Sequence, residues 1–145
     1  VIPEYGIMMN NMLGEDELNP FGFHKWNKKR RLPTMVSPII ITENSKPKFV
    51  LGSGGSNRIR SANVQVILNL LIENLDLQES ISRPRIHLEG NTLFHEPLIS
   101  IPINQINNMN VNSFSDKNLF FGGVNAVSKY SAVGDERRGG SGIIC

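Results

Sequence analysis

The sequence contains one cysteine, Cys145, so no disulfide can close within the chain, and cysteine usage leaves the redox compartment open. Because Cys145 is the last residue, it cannot be a prenylation site, where the cysteine stands fourth from the end. No apolar run approaches the roughly 20 residues of a membrane-spanning helix. The N-terminus carries no basic-then-apolar leader, so it says nothing about localisation. An excess of one charge is also missing. The formal net charge of +2 is too small to argue for nucleic acid or an anionic membrane as partner. His24, His87 and His95 lack metal-ligand spacing, and no cysteine pair accompanies them. There is no Gly-x-Ser-x-Gly nucleophile elbow. The residue types therefore call for neither metal nor cofactor.

What remains has the make-up of a folded, somewhat polar protein: 39% hydrophobic and 19% charged over 145 residues, enough for one domain with a real core. The start, Val1-Ile2-Pro3-Glu4-Tyr5-Gly6, runs straight into Ile7-Met8-Met9 and reads as a chain cut from something longer. A short strand is expected at Tyr5–Met9, then a loop of turn formers from Asn10 to Phe23. Ser37–Thr42, β-branched and apolar, reads as a buried strand that pairs with Lys48–Leu51 across a polar turn at Glu43–Pro47. A glycine-rich bend, Gly52–Asn57, opens a helix from about Asn57 to Glu73, with Ile59, Ala62, Val66 and Leu70, reinforced by Ile67 and Leu71, on one face. Asp76 and Glu79 form a capping-box-like pair that starts a second short helix, which ends before Pro84. Arg85–Leu88 and Thr92–Phe94 suggest a second hairpin. Ser100-Ile101-Pro102 with Ile103, Ile106 and Met109 suggests a short helix. Leu119–Val124 reads as a last strand, and Gly134–Gly142 as a flexible connection to Ile143-Ile144. Two antiparallel hairpins with helices between them make an α+β chain, whose bare sheet edges call for a partner or for self-association.

Three segments have chemical content. Backbone N–H groups at a strand-to-helix bend have no intrahelical partner, and small residues let a ligand approach them. Such a bend can hold a phosphate or a developing oxyanion. No Gly-Lys-Ser/Thr follows to favour phosphate, and a tight turn capping the helix is the simplest reading of the spacing. Asn10-Asn11 with Glu15-Asp16-Glu17 gathers amides and carboxylates in one loop, suited to a substrate ammonium group or simply to a solvated turn. Lys25, Lys28, Lys29, Arg30 and Arg31 beside Trp26 read as a solvated basic loop rather than a nucleic-acid patch.

Taken in order, these segments resemble the gamma-glutamyltransferase (gamma-glutamyl transpeptidase) family. Gly6-Ile7-Met8-Met9-Asn10-Asn11-Met12-Leu13-Gly14-Glu15-Asp16 is similar to the family's strand and Asn-Asn substrate loop. Arg31-Leu32-Pro33-Thr34-Met35-Val36-Ser37-Pro38 resembles its Ser-Met-Ser-Pro region. Gly52-Ser53-Gly54-Gly55-Ser56-Asn57-Arg58-Ile59 resembles its Gly-Ser-Pro-Gly-Gly-Ser-Arg-Ile oxyanion loop. Arg83-Pro84-Arg85-Ile86-His87 resembles its Ala-Pro-Arg-Phe-His segment. Phe120–Val124 and Gly134–Gly140 resemble the closing strand and tail of one branch. Nearly the whole chain is covered.

The resemblance implies part of an αββα sandwich of the N-terminal-nucleophile hydrolase type. The chain would be a single domain, the C-terminal part of the small (catalytic) subunit without its N-terminal nucleophile strand, paired with the large subunit of the same precursor. A threonine freed by self-cleavage attacks the gamma-glutamyl carbonyl, and the acyl group passes to water, an amino acid or a peptide. Glutathione or related gamma-glutamyl amides are the substrates so implied. By the same resemblance Asn11 belongs to the substrate loop, and Glu15, or Asp16 if the loop slips by one, takes the ammonium group. Thr34 stands for the first serine of the carboxylate-binding pair. Gly55 and Ser56, or Gly54 and Gly55, supply the oxyanion-hole N–H groups. Met35 stands where the second serine would be, which removes a hydroxyl donor and alters discrimination. The nucleophile is not in this chain, so the chain alone is expected to be inactive. A non-catalytic binding or assembly module derived from the same family is the alternative.

Overall fold

The computed structural model of the chain describes residues 1–27, 29–102 and 108–144. Lys28 of the basic cluster, Ile103 and Ile106 of the expected short helix, and Cys145 lie outside the described residues. By internal contacts the chain divides into two units, Val1–Met35 and Val36–Cys145.

The first unit is built of turns. In place of the expected strand at Tyr5–Met9 there is a single antiparallel bridge, Ile2 to Ile7, closed by positive φ at Glu4 and Gly6. A strand needs a neighbour for its backbone donors and acceptors, and here the chain folds back on itself instead. Two short 3-10 turns follow, Met12–Gly14 and Asp16–Leu18. The buried Asn19 amide ties them together, donating to the Leu13 carbonyl at 2.9 Å and the Glu15 carbonyl at 2.7 Å. Trp26 Nε1 donates to the Leu18 carbonyl at 3.0 Å.

The second unit holds the regular structure. Strand β1 (Ile39–Glu43) and strand β2 (Lys46–Gly54) form the expected hairpin. Its turn is tighter than read from sequence: Asn44 and Ser45 both take positive φ, the twist a two-residue hairpin requires. Pro47 therefore sits inside β2, opposite Thr42, and the register slips between Ile41 and Thr42. Helix α1 (Arg58–Leu71) follows the glycine bend. It buries Ile59, Ala62, Val66 and Leu70 as expected, together with Asn63, while Leu71 stays exposed. Helix α2 (Leu77–Ser82) begins where Asp76 accepts from the Glu79 N–H at 2.7 Å. It stops at Arg83, whose ψ of 144° is the extended geometry imposed by Pro84.

Strands β3 (Ile86–Glu89) and β4 (Thr92–His95) make the second hairpin. Strand β5 (Asn110–Ser113), absent from the sequence reading, runs parallel to β4. The described ends of the Ser100–Met109 segment carry no helix. The apolar run Leu119–Val124 is not one strand. Leu119–Phe121 is a 3-10 turn, Gly122 turns the chain at φ 76°, and strand β6 (Gly123–Ser128) begins only then. Strands β7 (Ser131–Val133) and β8 (Gly142–Ile144) complete a five-stranded antiparallel sheet of order β1-β2-β6-β7-β8.

Helices α1 and α2 cover one face of that sheet, α1 over β2 and β6 and α2 over β6 and β7. Leu51, Val124, Ala126 and Val133 meet Ala62, Val66, Leu70, Leu77 and Ile81 there. The other face carries exposed apolar side chains, Ile40, Val50, Val127 and Ile143, around a broad groove. β1 is thus half-buried, with Ile39 and Ile41 turned to the core and Ile40 away from it. No helix among the described residues is long and apolar enough to cross a membrane.

Candidate active site

Gly54 closes β2 opposite Gly123 of β6. Gly55 then takes φ 134° and Ser56 φ 56°, which turns the chain from strand to helix within two residues. The bend is locked from the helix side: the Gly55 carbonyl accepts from the Arg58 N–H and the Ser56 carbonyl from the Ile59 N–H, each at 3.1 Å. Arg58 anchors the helix start, with Nε on the Phe120 carbonyl at 3.2 Å and its guanidinium 4.9 Å from the Phe120 ring centre. A side chain at position 55 has no room, since a Cβ there would lie 2.8 Å from Gly122 Cα. Among the described residues the Gly55 N–H meets no acceptor. A groove of ≈ 380 Å³ opens beside the bend, lined by Ser37, Pro38, Gly52, Ser53, Gly54 and Asn125 among others. Chemically this is a half-buried donor bend beside a groove whose polar side chains are Ser37, Ser53 and Asn125.

Of the expected site residues, Gly54, Gly55 and Ser56 therefore come together at one bend of the second unit. Asn11, Glu15, Asp16, Thr34 and Met35 belong to the first. There Asn11 lies against Gly14, its amide 2.9 Å from where a Cβ would stand. Glu15 links the two 3-10 turns and is half-buried, Asp16 is exposed, and Thr34 and Met35 lie outside any regular element. Asn11 also lines a hollow of ≈ 540 Å³ with Phe23, His24 and Trp26, aromatic company that the sequence reading did not single out. Among the described residues no three His, Cys, Asp or Glu side chains gather as a metal-ligand set.

The segment read as a flexible connection is instead fixed by buried charge. Asp135 and Arg137, around the 3-10 turn Glu136–Arg138, join Arg85 and Glu96 in a fully buried quartet. Arg137 Nε reaches Glu96 Oε1 at 2.7 Å and Nη2 reaches Glu96 Oε2 at 2.5 Å. Arg85 Nη2 reaches Asp135 Oδ2 at 2.7 Å. The remaining capacity goes to the backbone: Arg137 binds the Ile81 and Arg83 carbonyls, and Asp135 accepts from the Val124 N–H at 2.9 Å. The quartet thus holds β6, and with it Gly123, in place beneath the glycine bend. Gly-Asp-Glu-Arg-Arg-Gly-Gly looked mobile because its glycines and charges are surface types, and only opposite charges brought from Arg85 and Glu96 reverse that.

Burial pushes the Asp135 carboxyl up, but the Arg85 and Arg137 guanidiniums and the Val124 and Arg137 N–H groups outweigh it and hold it below the usual carboxylate range. Burial also pulls Arg137 down, and Glu96 and Asp135 more than reverse this, while Arg85 is left lowered by burial and by Arg137. A depressed carboxyl contributes stability that is whole above its unfolded value of about 3.9 and is lost as pH falls through the folded value. The urea midpoint is therefore expected to fall steeply below about pH 4, and Asp135→Asn to start lower and flatten that fall. A midpoint equally acid-sensitive in D135N would remove Asp135 as its source.

Antiparallel strands with helices on one face and a glycine bend at a strand–helix junction fit the N-terminal-nucleophile hydrolase type of fold. Solved structures agree: gamma-glutamyltranspeptidase from Pseudomonas nitroreducens complexed with L-DON superimposes with a TM-score of 0.75 at 21% identity, covering 100% of this chain and 85% of that one. The Helicobacter pylori enzyme, as its T380A mutant, gives 0.68 at 22%, covering 99% and 81%. The sequence model of the gamma-glutamyltranspeptidase family matches residues 1–145, and the chain belongs to that family. The glutathione hydrolase proenzyme of Bacillus subtilis (strain 168) is 24% identical over 99% of this chain. The acylase ACY 1 proenzyme of Pseudomonas sp. (strain SE83) is 30% identical over 68% of it, which is 18% of that relative. The chain spans about a quarter (26%) of the Bacillus relative's length.

Proposed function

We propose that the protein carrying this chain is a gamma-glutamyl acyl-transfer enzyme, and that the chain is a fragment of its small subunit. The Gly55 bend carries the reading. In a chain belonging to this family throughout, it presents a backbone N–H that meets no acceptor among the described residues, at a position where no side chain fits, beside an open groove. Gly55, with Gly54 or Ser56, stabilises the oxyanion of the tetrahedral intermediate, each donor contributing about 3 kcal/mol. An N-terminal threonine outside this chain attacks the gamma-carbonyl of glutathione or a related amide, and the acyl group passes to water, an amino acid or a peptide. Glu15 or Asp16 receives the substrate ammonium, and Asn11, Thr34 and Met35 shape its surroundings. The uncovered apolar face around Val50, Val127 and Ile143 is where the rest of the sandwich packs, with the large subunit of the same precursor as partner. The isolated chain, without nucleophile, is inactive.

The test is turnover of a chromogenic gamma-glutamyl anilide by the full-length protein, with and without its candidate threonine changed to alanine. Activity abolished by the change is expected. Full-length protein inactive toward gamma-glutamyl and other acyl amides would favour a non-catalytic module instead.

A further inference from the structure

We propose that Arg58 is a positioning residue that fixes the direction in which the glycine bend donates to the oxyanion; this rests on the acyl-transfer reading above. A trans peptide group is planar, so its C=O and N–H point opposite ways and an anchor on one aims the other. The Gly55 carbonyl is anchored by the Arg58 N–H at 3.1 Å. That bond sets the plane of the Gly55–Ser56 peptide, and with it the line of the Ser56 N–H, a candidate donor alongside that of Gly55. Positive φ at Gly55 and Ser56 allows the turn but leaves its pitch to whatever holds the start of α1. A capping side chain does not do this among the described residues. Asn57, at the cap position, makes no capping bond and instead donates from Nδ2 to Glu89 Oε1 at 2.6 Å. The peptide plane is as steady as Arg58 itself.

Arg58 is held by its side chain. Nε donates to the Phe120 carbonyl at 3.2 Å, and the guanidinium lies over the Phe120 ring, 4.9 Å from its centre. One planar group thus makes a hydrogen bond and a cation–π contact with the same residue. Phe120 is a firm partner. Its ring packs on Phe94, Phe114 and Phe121 at centroid distances of 4.8, 5.4 and 5.1 Å, and its N–H donates to Asn118 Oδ1 at 2.9 Å. The next carbonyl, of Phe121, accepts from the buried Arg85 Nη1 at 3.3 Å. Gly122 follows, and its Cα is the atom that a Cβ on Gly55 would meet at 2.8 Å. The Leu119–Phe121 turn therefore bears on the bend twice, at Gly122 and through Arg58. The first contact confines Gly55, and the second steadies the peptide after it. All of these residues lie within the second unit.

In the full-length protein, Arg58→Met keeps an apolar stem but removes the donor and the planar charge. It is expected to lower kcat for a gamma-glutamyl anilide about ten- to a hundredfold, with KM within about twofold of wild type because ground-state binding is untouched. Arg58→Lys should fall between, since an ammonium can replace the hydrogen bond but not the stacked plane. Phe120→Leu, which keeps the carbonyl and loses the ring, should lose less than R58M. Should R58M not fold, R58K and F120L carry the same test. A boronic acid analogue of the gamma-glutamyl group separates aim from general damage, because its tetrahedral anion needs the oxyanion donors and L-glutamate does not. Its inhibition constant should rise in step with the loss of kcat, while that of L-glutamate stays put. Unchanged kcat in the folded variants, or equal weakening of boronate and glutamate, overturns the assignment. Amide hydrogen exchange over residues 54–58 reads the clamp without turnover. Faster exchange in R58M than in wild type supports the clamp even if no gamma-glutamyl amide is cleaved, in which case only the transfer reading falls. Exchange unchanged in the variants counts against the clamp itself.

Discussion

Changing Glu96 to alanine is expected to lower the unfolding free energy by about 3–5 kcal/mol, the usual result of removing one partner from a buried ion pair. Glu96 is fully buried, and its two oxygens serve four donors: Arg137 Nε and Nη2, the Arg85 backbone N–H and the Asn118 backbone N–H, the last two at 2.9 Å. Alanine leaves Arg137 Nε and the two backbone N–H groups without an acceptor, and leaves two buried guanidiniums to share the single charge of Asp135. The damage spreads because the quartet ties together parts distant in sequence: the end of α2 through the Ile81 carbonyl, the approach to β3 through Arg85, and β6 through Val124. Urea unfolding of the full-length protein, followed by far-UV circular dichroism, reads the change. A loss under 1 kcal/mol would show that water or a rearranged Asp135 takes over the Arg137 donors. Double replacement of Glu96 and Arg137 by apolar residues of similar volume should be much milder than E96A alone, because the penalty is the stranded charge rather than a lost attraction.

That quartet also shows where the sequence stops being readable. Local signals were sound wherever one residue sets its own geometry: Asp76 caps α2, Pro84 ends it, and the 3.6-residue spacing of Ile59, Ala62, Val66 and Leu70 gives the buried face of α1. The glycine bend was legible for the same reason, since a strand-type run, clustered glycines and a helical period meet there. What failed depends on partners far along the chain. Tyr5–Met9 has strand composition but forms only the Ile2–Ile7 bridge. Asn110–Ser113 has weak strand composition yet pairs in parallel with β4, because pairing there is imposed by the neighbour. Leu119–Val124 was read as continuous although Gly122 breaks it at φ 76°. Arg138 was read as part of a flexible tail; its stem instead lies over Gly123, where a Cβ would stand 2.4 Å from Cδ. As for the site, the sequence named the bend and the Asn11–Asp16 loop, but not the cation beside the bend or the aromatic hollow beside Asn11.

Gly55→Ala should reduce kcat of the full-length protein on the order of 10²–10³-fold, with a much smaller change in KM. Two effects act together at this position. The φ of 134° lies where side chains other than glycine are strained, and the added Cβ would press on Gly122 Cα at 2.8 Å. Neither backbone can yield cheaply, since there is little room around Gly122: a Cβ there would stand 3.1 Å from the Gly54 carbonyl oxygen and 3.3 Å from Ala62 Cβ. The bend must therefore re-aim, and an oxyanion donor displaced by a fraction of an ångström loses its preference for the transition state over the ground state. That difference is why the effect belongs in kcat. Gly90→Ala is the control. Gly90 turns the β3–β4 hairpin at φ 57° with open space around it, so it carries the positive-φ cost without the clash and without the site. G90A should lose about 1 kcal/mol of stability and no activity. If G55A keeps kcat within a factor of three of wild type while the protein remains folded, the donor role moves off Gly55, and Ser56 or Gly54 becomes the next position to test. If G55A and G90A lose activity in step with stability, the bend is only a turn.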